Sequence, residues 1–338
     1  MKRVLGKSIT SLRQIIHVGL SLTVCPDKQK VAIVGAGFVG STLAYSLLIQ
    51  GTVSQITLID VNRERAEGEA MDLNHGMPFA YPTKIVVGDY ADCRDADIVV
   101  ISVDRGQKIE KSRLELAQGN FELFKEIIPR IVEYNRECIL IIASNPLDVM
   151  TYAALKLSGL PKNRVIGSGT ILDSARLRYL LGEHLQVDAR NVHAYVIGEH
   201  GDSEVPVWSL ANVAGIRLVD YCPICKLPYD TNQLNELFLE VKNAGYEIIK
   251  RKGRTHYAIG LGITRIVESV LRDENAILTV STFLEDYHGV RDICLSVPAI
   301  IGRGGIKETI TLPLNEKEKE DFQKSAIIVK NVADSLMP

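Results

Sequence analysis

Residues 31–40 have the sequence Val-Ala-Ile-Val-Gly-Ala-Gly-Phe-Val-Gly, and a helical pattern over residues 41–50 follows directly. The apolar run at its start predicts a buried strand, and the glycines after it allow a tight turn into the helix. Gly35 permits the turn, Gly37 lets the backbone approach a pyrophosphate, and Gly40 lets helix and strand pack closely. Free N–H groups and the dipole at the helix start favour an anion. The stretch therefore predicts a strand–turn–helix unit with a phosphate-binding turn.

Apolar runs and helical patterns alternate on both sides of this turn. The predicted strands are residues 31–34, 55–59, 84–87, 97–102 and 138–143, and the predicted helices are residues 41–50, 63–73 and 114–135. Continuous apolar strands separated by helices are typical of a parallel sheet covered on both faces. Because crossovers between parallel strands are right-handed, this pattern favours a doubly wound, Rossmann-type sheet.

Asp60 stands at the end of the second predicted strand. A carboxylate at this point accepts hydrogen bonds from the hydroxyls of an adenosine ribose, and it repels a 2′-phosphate. The glycine turn together with this acid therefore predicts NAD rather than NADP as the cofactor.

The pattern changes after about Ser168, where helical stretches dominate. Helices are predicted for residues 170–182 and 231–252, and short strand pairs for residues 191–197 and 292–301. We therefore predict an α/β fold divided into an N-terminal extension (1–28), an NAD-binding Rossmann domain (29–167) and a C-terminal α+β substrate domain (168–338). The site is expected between the two domains, where ligand clefts often form.

The composition is that of a soluble globular protein. The chain has 338 residues, of which 46% are hydrophobic and 24% charged, with a formal net charge of -2. This length suits two lobes. The small net charge gives no strong attraction to nucleic acid or to an anionic membrane, and no apolar run approaches the roughly 18 residues that span a bilayer. We expect neither kind of partner.

The six cysteines and the basic N-terminal stretch indicate in which cellular compartment the protein is expected. Scattered cysteines indicate a reducing cytosol. For Cys222-Pro-Ile-Cys225 we favour a surface loop with two free thiols over a redox pair, and we predict no metal site. The first 26 residues carry four basic residues and no acid. A targeting segment, a packing arm at a subunit interface and an over-extended start remain open alternatives, and we expect a cytoplasmic protein.

Four motifs occur in order along the chain: Gly35 to Gly40, Ala143-Ser-Asn-Pro-Leu-Asp148, Asp173-Ser-Ala-Arg176 and Gly198-Glu-His-Gly-Asp-Ser203. Together they resemble the signatures of the L-lactate and malate dehydrogenase family, from about Val31 to the C-terminus. Residues 166–173 and 191–195 are similar to bacterial L-lactate dehydrogenases in particular. The resemblance implies reversible hydride transfer between NADH and pyruvate, giving (S)-lactate and NAD.

The chemistry of this reaction suits the residues in the last two motifs. Reduction of a 2-oxo acid adds hydride to carbon and a proton to oxygen, and a histidine titrates near neutral pH. His200 is therefore the predicted proton donor. The resemblance implies that Asp173 holds its other ring nitrogen. Asp173 and Arg176 share one helical face, so that Arg176 can grip the substrate carboxylate with two hydrogen bonds.

Residues 107–113 resemble the mobile loop of the family. The resemblance implies that Arg113 stabilises the charge on the substrate carbonyl oxygen, in a loop whose closure excludes water. Gln107 occupies a position that holds Gln in lactate enzymes and Arg in malate enzymes. An arginine would pair with the second carboxylate of oxaloacetate, whereas a neutral Gln leaves that charge unpaired. Gln107 therefore favours pyruvate, with malate dehydrogenase or a broader 2-hydroxyacid dehydrogenase as the alternative.

The resemblance also implies the remaining contacts. The predicted substrate-binding residues are Gln107, Arg113, Asn145, Asp148, Asp173, Arg176 and Thr255. The predicted cofactor-binding residues are Gly35, Gly37, Phe38, Val39, Gly40, Asp60, Arg65, Tyr90, Asp104, Arg105, Ala143, Ser144, Asn145 and Ser168.

Two stretches depart from the family pattern. Asp104 and Arg105 follow the fourth predicted strand, where the family usually carries Ala-Gly-Ala, and Ile109-Glu-Lys111 replaces the usual Pro-Gly-Glu hinge. A carboxylate near a pyrophosphate is repulsive unless Arg105 offsets it, and loss of the hinge glycine stiffens a loop. These changes predict weaker NAD binding or slower loop closure.

Arg178 and His193 match positions that bind fructose 1,6-bisphosphate in allosteric bacterial lactate dehydrogenases. Because that effector lies between subunits of a tetramer, the resemblance implies a homotetramer activated by a bisphosphate. The alternatives are that Arg178 is an exposed helix residue and that His193 is hydrogen-bonded locally.

A catalytically impaired NAD-binding protein is the remaining hypothesis for the function of the whole chain. It is disfavoured because His200, Asp173, Arg176 and Arg113 are all present.

Overall fold

A computed structural model describes residues 29–105 and 113–337. Its strands are β1 (Lys30–Val34), β2 (Gln55–Ile59), β3 (Lys84–Val87), β4 (Ile98–Ile101), β5 (Ile139–Ile142), β6 (Val165–Gly167), β7 (Val192–His193), β8 (Val196–Ile197), β9 (Val205–Pro206), β10 (Asn212–Val213), β11 (Ile216–Arg217), β12 (Ala276–Leu284), β13 (Ile293–Gly302) and β14 (Gly305–Thr309). Its α-helices are α1 (Phe38–Gln50), α2 (Arg63–His75), α3 (Arg113–Tyr134), α4 (Leu147–Ser158), α5 (Ile171–Leu185), α6 (Leu218–Ile224), α7 (Thr231–Lys252), α8 (Tyr257–Leu271) and α9 (Glu316–Leu336).

The main sheet is parallel through its first six strands, in the order β3-β2-β1-β4-β5-β6. The chain reverses its direction of winding between β1 and β4, and such a switch point opens a crevice at the carboxyl ends of the strands. The strand interiors are buried on both faces, in line with their continuous apolar sequences. The predicted Rossmann-type architecture is therefore confirmed.

The sheet does not stop at β6. Strand β12 runs antiparallel to β6, with Ser281 opposite Gly167, and β13 and β14 complete a single sheet. The C-terminal strands thus extend the N-terminal sheet, a continuity that the sequence analysis did not predict. It brings side chains of β12 and β13 beside those that follow β5.

The core lies on both faces of this sheet. Apolar side chains of α3, α4 and α9 cover one face, and those of α1, α2 and α8 cover the other. A separate cluster forms between α5, α7 and the short strands β7 and β10. The helices α5 and α7 therefore pack in a cluster separate from the two that cover the sheet faces.

Several local predictions needed correction. Helix α1 begins at Phe38 rather than Ser41, because the phosphate turn leads directly into it. The strand pairs predicted within residues 191–197 and 292–301 are both wrong, since β7 pairs with β10 and β8 with β9, and the second stretch forms the single strand β13. Cys222 is not in a surface loop: it lies on α6 and is buried against the α5–α7 cluster, whereas Cys225 at the end of α6 is exposed.

Across the described ranges, no helix is both long and apolar enough to cross a membrane.

Candidate active site

The glycine turn between β1 and α1 is tightly packed at two of its glycines and open at the third. Gly35 has a positive φ of 103°, and a Cβ there would lie 2.9 Å from the carbonyl oxygen of Ser102. A Cβ on Gly40 would collide with the carbonyl oxygen of Gly35. A Cβ on Gly37, in contrast, would meet nothing within 4 Å, and Gly37 caps α1 without a side-chain hydrogen bond. The turn thus presents open space at a helix N-terminus, which fits the pyrophosphate of NAD.

Asp60 stabilises this turn with hydrogen bonds from two backbone N–H groups. Its Oδ2 accepts a hydrogen bond of 2.7 Å from the backbone N–H of Ala36, and its Oδ1 accepts one of 2.9 Å from that of Asn62. The Arg65 guanidinium lies 5.7 Å from the ring centroid of Phe38, at the exposed mouth of the turn. The predicted cofactor residues around the turn therefore lie together.

The segments that follow β4 and β5 are tied to one another. Ser102 Oγ donates to the carbonyl of Gly35 at 3.0 Å, and Ser144 Oγ donates to the carbonyl of Val103 at 2.6 Å. Asn145 is exposed and its peptide bond to Pro146 is cis. The remaining predicted cofactor residues are also near strand ends: Val39 on α1, Tyr90 after β3, Asp104 and Arg105 after β4, Ala143 after β5, and Ser168 after β6.

The predicted proton donor and its partner are in direct contact. His200 lies in the turn between β8 and β9, and its Nδ1 is 2.5 Å from Asp173 Oδ2. The other oxygen of Asp173 accepts a hydrogen bond of 3.0 Å from Arg176 Nη1, one helical turn further along α5. The Asp173 carboxylate is buried, whereas 28% of the His200 side chain is exposed. The arrangement leaves His200 Nε2 as the ring nitrogen that can face a ligand.

The electrostatics of the pair favour the charged histidine. Burial by itself lowers the pKa of His200, but the negative charge of Asp173 and the hydrogen bond to it outweigh burial and raise that pKa to about 9. Burial raises the pKa of Asp173, yet the His200 and Arg176 charges reverse this and hold it below its usual value. At neutral pH the pair is therefore an imidazolium and a carboxylate, ready to give up one proton.

Asp148 fixes the backbone of His200. Its Oδ2 accepts a hydrogen bond of 2.7 Å from the His200 N–H, and its Oδ1 accepts bonds from Ser281 Oγ at 2.7 Å and Ser296 Oγ at 3.2 Å. Burial raises the pKa of Asp148 to about 6 in spite of these bonds. Asp148, predicted as a substrate contact, thus also holds the backbone of the turn that carries His200.

Glu204 is a buried acid that sequence reasoning missed. It lies close to His200 and Asp173: one ligand-type atom from each of the three residues falls within 4.8 Å of the others. Burial, and then the Asp173 charge, raise the pKa of Glu204 to about 9. None of the described residues hydrogen-bonds its Oε1. A divalent ion at this cluster would have to compete with the His200–Asp173 hydrogen bond, so the arrangement suits proton transfer better than metal binding.

Some predicted residues lie outside the described residues. These are Gln107 and residues 109–111. Arg113 is the first residue of α3, but the structure does not describe its side chain.

Thr255 lies between α7 and α8 and is half-buried. The next residue, His256, is 2.9 Å from Thr42 Oγ1 on α1, and its ring centroid is 5.5 Å from that of Phe38. Thr255 therefore lies beside the phosphate turn.

The two predicted effector residues are neighbours in the structure. Arg178 Nε on α5 donates a hydrogen bond of 2.7 Å to the carbonyl of Val192, and His193, the next residue, is exposed. Arg178 is thus held by the β7 backbone on the same side of the molecule as His193.

Comparisons with known proteins match both parts of the chain to one family. Residues 29–167 match the family model of the lactate/malate dehydrogenase NAD binding domain, and residues 170–337 match that of the lactate/malate dehydrogenase alpha/beta C-terminal domain. An L-lactate dehydrogenase of Acetivibrio thermocellus is 54% identical over 308 residues, which are 91% of this chain and 97% of the relative. L-lactate dehydrogenase 1 of Clostridium acetobutylicum is 48% identical over 91% of this chain and 98% of its own length.

Solved structures give the same result. The minor L-lactate dehydrogenase of Enterococcus mundtii, in a ligand-bound form, superimposes with a TM-score of 0.89 at 41% identity, covering 91% of this chain and 98% of that chain. A lactate dehydrogenase from a Medee basin deep-sea metagenome library superimposes with a TM-score of 0.88 at 41% identity, covering 92% and 99%. The resemblance of the four motifs is thereby confirmed, and the chain belongs to the lactate/malate dehydrogenase family.

Proposed function

We propose that the protein is an NAD-dependent L-lactate dehydrogenase, which reversibly converts pyruvate and NADH into (S)-lactate and NAD. The observation that carries this proposal is the Asp173 carboxylate, which contacts His200 on one oxygen and Arg176 on the other. One buried group thus aligns a proton donor with a cation suited to a substrate carboxylate. The names of the relatives support pyruvate and lactate as the substrate pair.

In the reductive direction His200 gives a proton to the ketone oxygen. Asp173 holds Nδ1, so the proton leaves from Nε2, and the resulting neutral imidazole is reprotonated from solvent. Bound NADH supplies the hydride that reaches the carbonyl carbon. In the oxidative direction neutral His200 takes the hydroxyl proton at the same atom, and Asp173 then stabilises the imidazolium.

Arg176 orients the substrate. Its side chain is 16% exposed, and one nitrogen is occupied by Asp173. The remaining N–H groups can form a two-pronged hydrogen bond to the carboxylate of a 2-oxo acid, which fixes the ketone relative to His200. Arg113 is proposed to stabilise the carbonyl oxygen, and Asn145 and Thr255 to line the same pocket.

The cofactor is proposed to lie across the carboxyl ends of β1, β2 and β4 to β6. The pyrophosphate approaches the backbone at Gly37, in the turn that Gly35 and Gly40 shape, and Asp60 binds the adenosine ribose. Asn145, exposed after β5, is proposed to contact the nicotinamide ribose. Phe38, Val39, Arg65, Tyr90, Asp104, Arg105, Ala143, Ser144 and Ser168 complete the proposed contacts.

Gln107 is proposed to select pyruvate over oxaloacetate. The test compares kcat/KM for the two substrates with NADH, in the unmodified enzyme and in Gln107→Arg. We expect pyruvate to be preferred and the substitution to move the preference toward oxaloacetate, because an arginine pairs with the second carboxylate. An unmodified enzyme that prefers oxaloacetate would identify it as a malate dehydrogenase, and one without turnover as an NAD-binding protein.

The effector site, the oligomeric state, the domain boundaries and the cellular compartment are proposed on fewer observations. The neighbouring Arg178 and His193 support a fructose 1,6-bisphosphate site in a homotetramer. Exposed apolar side chains on α1, α7 and α8, among them Tyr45, Tyr246 and Leu261, support a subunit interface. The division into residues 1–28, 29–167 and 168–338 and a place in the cytoplasm also stand as proposals.

A further inference from the structure

Asn120 on α3 is a completely buried asparagine beside the proposed cofactor site. Its Nδ2 donates a hydrogen bond of 2.7 Å to the carbonyl of Asn145 and a longer one of 3.4 Å to Asp104 Oδ1. Its Oδ1 accepts a hydrogen bond of 3.0 Å from the backbone N–H of Arg105. One amide therefore joins the helix to the segments that follow β4 and β5.

A second hydrogen bond runs between the same two segments. Ser144, which precedes Asn145, donates a hydrogen bond of 2.6 Å from its Oγ to the carbonyl of Val103, which precedes Asp104. Asn120 and Ser144 thus form two parallel ties that leave the Asn145 turn little freedom to shift relative to β4.

The role requires an asparagine in particular. An amide offers two donor hydrogens on one nitrogen and an acceptor oxygen on the same planar group. A carboxylate at this position would keep the acceptor but would face the Asn145 carbonyl and the Asp104 carboxylate with lone pairs. An alanine would leave the Asn145 carbonyl and the Arg105 N–H without this partner in a buried place.

The contact between Asn120 and Asp104 distinguishes this chain from the usual family pattern. In the family pattern a glycine usually stands there, and a glycine has no side chain for Asn120 to contact. Here the Asn120 amide accommodates the carboxylate, while the Arg105 side chain runs past Gly119 on α3. The unusual residues after β4 are therefore anchored to the same amide that holds Asn145.

We infer that Asn120 is a positioning residue, which fixes the Asn145 turn and thereby the nicotinamide end of the cofactor site. This inference rests on the proposed function, because it takes Asn145 as the residue beside the nicotinamide ribose. Asn120 touches neither reacting atom, and it acts through the backbone of Asn145. The adenosine end of the site, at Gly37 and Asp60, lies outside its reach.

Asn135 offers a matched control at the other end of α3. It is also a buried asparagine, whose Nδ2 donates to the carbonyls of Cys93 and Ala96 and whose Oδ1 accepts from the N–H groups of Glu137 and Cys138. These residues lie at the amino ends of β4 and β5, away from the site. Asn135→Ala therefore removes comparable hydrogen bonds without moving the Asn145 turn.

The test measures the binding of NADH and of ADP, which lacks both the nicotinamide and its ribose, to Asn120→Ala, Asn135→Ala and the unmodified enzyme. We expect Asn120→Ala to raise the Kd of NADH about tenfold, the equivalent of one buried hydrogen bond, and to leave the Kd of ADP unchanged. We also expect it to lower kcat for pyruvate. Asn135→Ala is expected to lower the Tm and to leave both Kd values unchanged.

Equal weakening of both ligands by Asn120→Ala, or no change in either, would overturn the inference. If Asn120→Ala does not fold, Asn120→Asp keeps the side-chain volume but removes the donor to the Asn145 carbonyl, and it is expected to give the same selective loss of NADH affinity; unchanged NADH binding in that variant would count equally against the inference. Because the binding assay needs no substrate, its outcome is separate from that of the pyruvate assay on the unmodified enzyme, which tests the proposed function.

Discussion

At the scale of single residues, the three glycines of the phosphate turn have different physical requirements. Gly35 and Gly40 are required by the fold, because a side chain at either position meets the backbone of the turn or of Ser102. Gly37 is not required by the fold, since a Cβ there enters open space. The motif predicts a tight turn at Gly35 and close packing at Gly40, and the structure shows both contacts; it leaves open space at Gly37, where the pyrophosphate is proposed to approach.

Gly37→Ala is therefore expected to fold normally and to bind NADH poorly. The added methyl group projects where the pyrophosphate has to approach the backbone, so we expect the Kd of NADH to rise about tenfold or more while Tm stays constant. Gly40→Ala, the matched control, is expected to lower Tm sharply because of its collision with Gly35. Fluorescence titration with NADH and thermal unfolding measure both effects; unchanged NADH affinity in Gly37→Ala would argue against the proposed cofactor position.

At the scale of elements, helix α9 packs against the turn that carries His200. Ser325 is fully buried, and its Oγ accepts a hydrogen bond of 2.8 Å from the Glu199 N–H and lies 3.0 Å from Ser203 Oγ. Gly198 packs against it so closely that a Cβ would lie 2.8 Å from Ser325 Oγ. The residues on both sides of His200 are thus fixed by a helix near the C-terminus of the chain.

Ser325→Ala is expected to reduce turnover without affecting the cofactor. The change leaves the Glu199 N–H without its acceptor, which costs about 1–3 kcal/mol of stability and loosens the turn that holds His200. We expect kcat for pyruvate to fall severalfold, with the Kd of NADH unchanged. Ser335→Ala, at an exposed serine of the same helix, serves as the control. A kcat equal to that of the control would mean that α9 does not position the turn.

The sequence predicted the elements that carry local patterns and missed the contacts made over long separations. Periodicity placed β1 to β5 and the long helices α3 and α7 to within a few residues, and the motifs identified His200 and Asp173. The serines that hold Asp148 and Glu199 come from β12, β13 and α9, more than 120 positions away along the chain. A single serine in a strand or helix has no sequence pattern, so these supports, like Glu204 and Asn120, emerge only from the folded chain.

At the scale of the whole molecule, the described surface has features of a subunit. Large apolar side chains on α1, α7 and α8 are more than half exposed, for example Tyr45 (56%), Tyr246 (64%) and Leu261 (57%). Arg178 and His193 lie together beside β7, where a symmetry-related copy would add positive charge. A tetramer with a bisphosphate between its subunits would account for both features.

Fructose 1,6-bisphosphate is expected to lower the KM for pyruvate of the unmodified enzyme. Arg178→Gln and His193→Gln are expected to abolish this response, because each removes a cation that the phosphates would contact. Saturation curves with and without the effector, alongside the mass by light scattering, measure the effect. Identical curves for the unmodified enzyme would refute activation, and a mass other than four chains would refute the tetramer.

His200, held by Asp173, is the proposed proton donor for pyruvate reduction, and the pH dependence of kcat/KM for pyruvate with NADH measures its titration. Because the raised pKa of His200 keeps the imidazolium populated through neutral pH, we expect a plateau from about pH 6 to pH 8 and a fall of about tenfold per pH unit above about pH 9. Asp173→Asn removes the charge that raises this pKa, so its decline should move to lower pH and its plateau should fall by about two to four orders of magnitude. A profile that stays flat through pH 10, or a decline that Asp173→Asn does not shift, would exclude His200 as the proton donor.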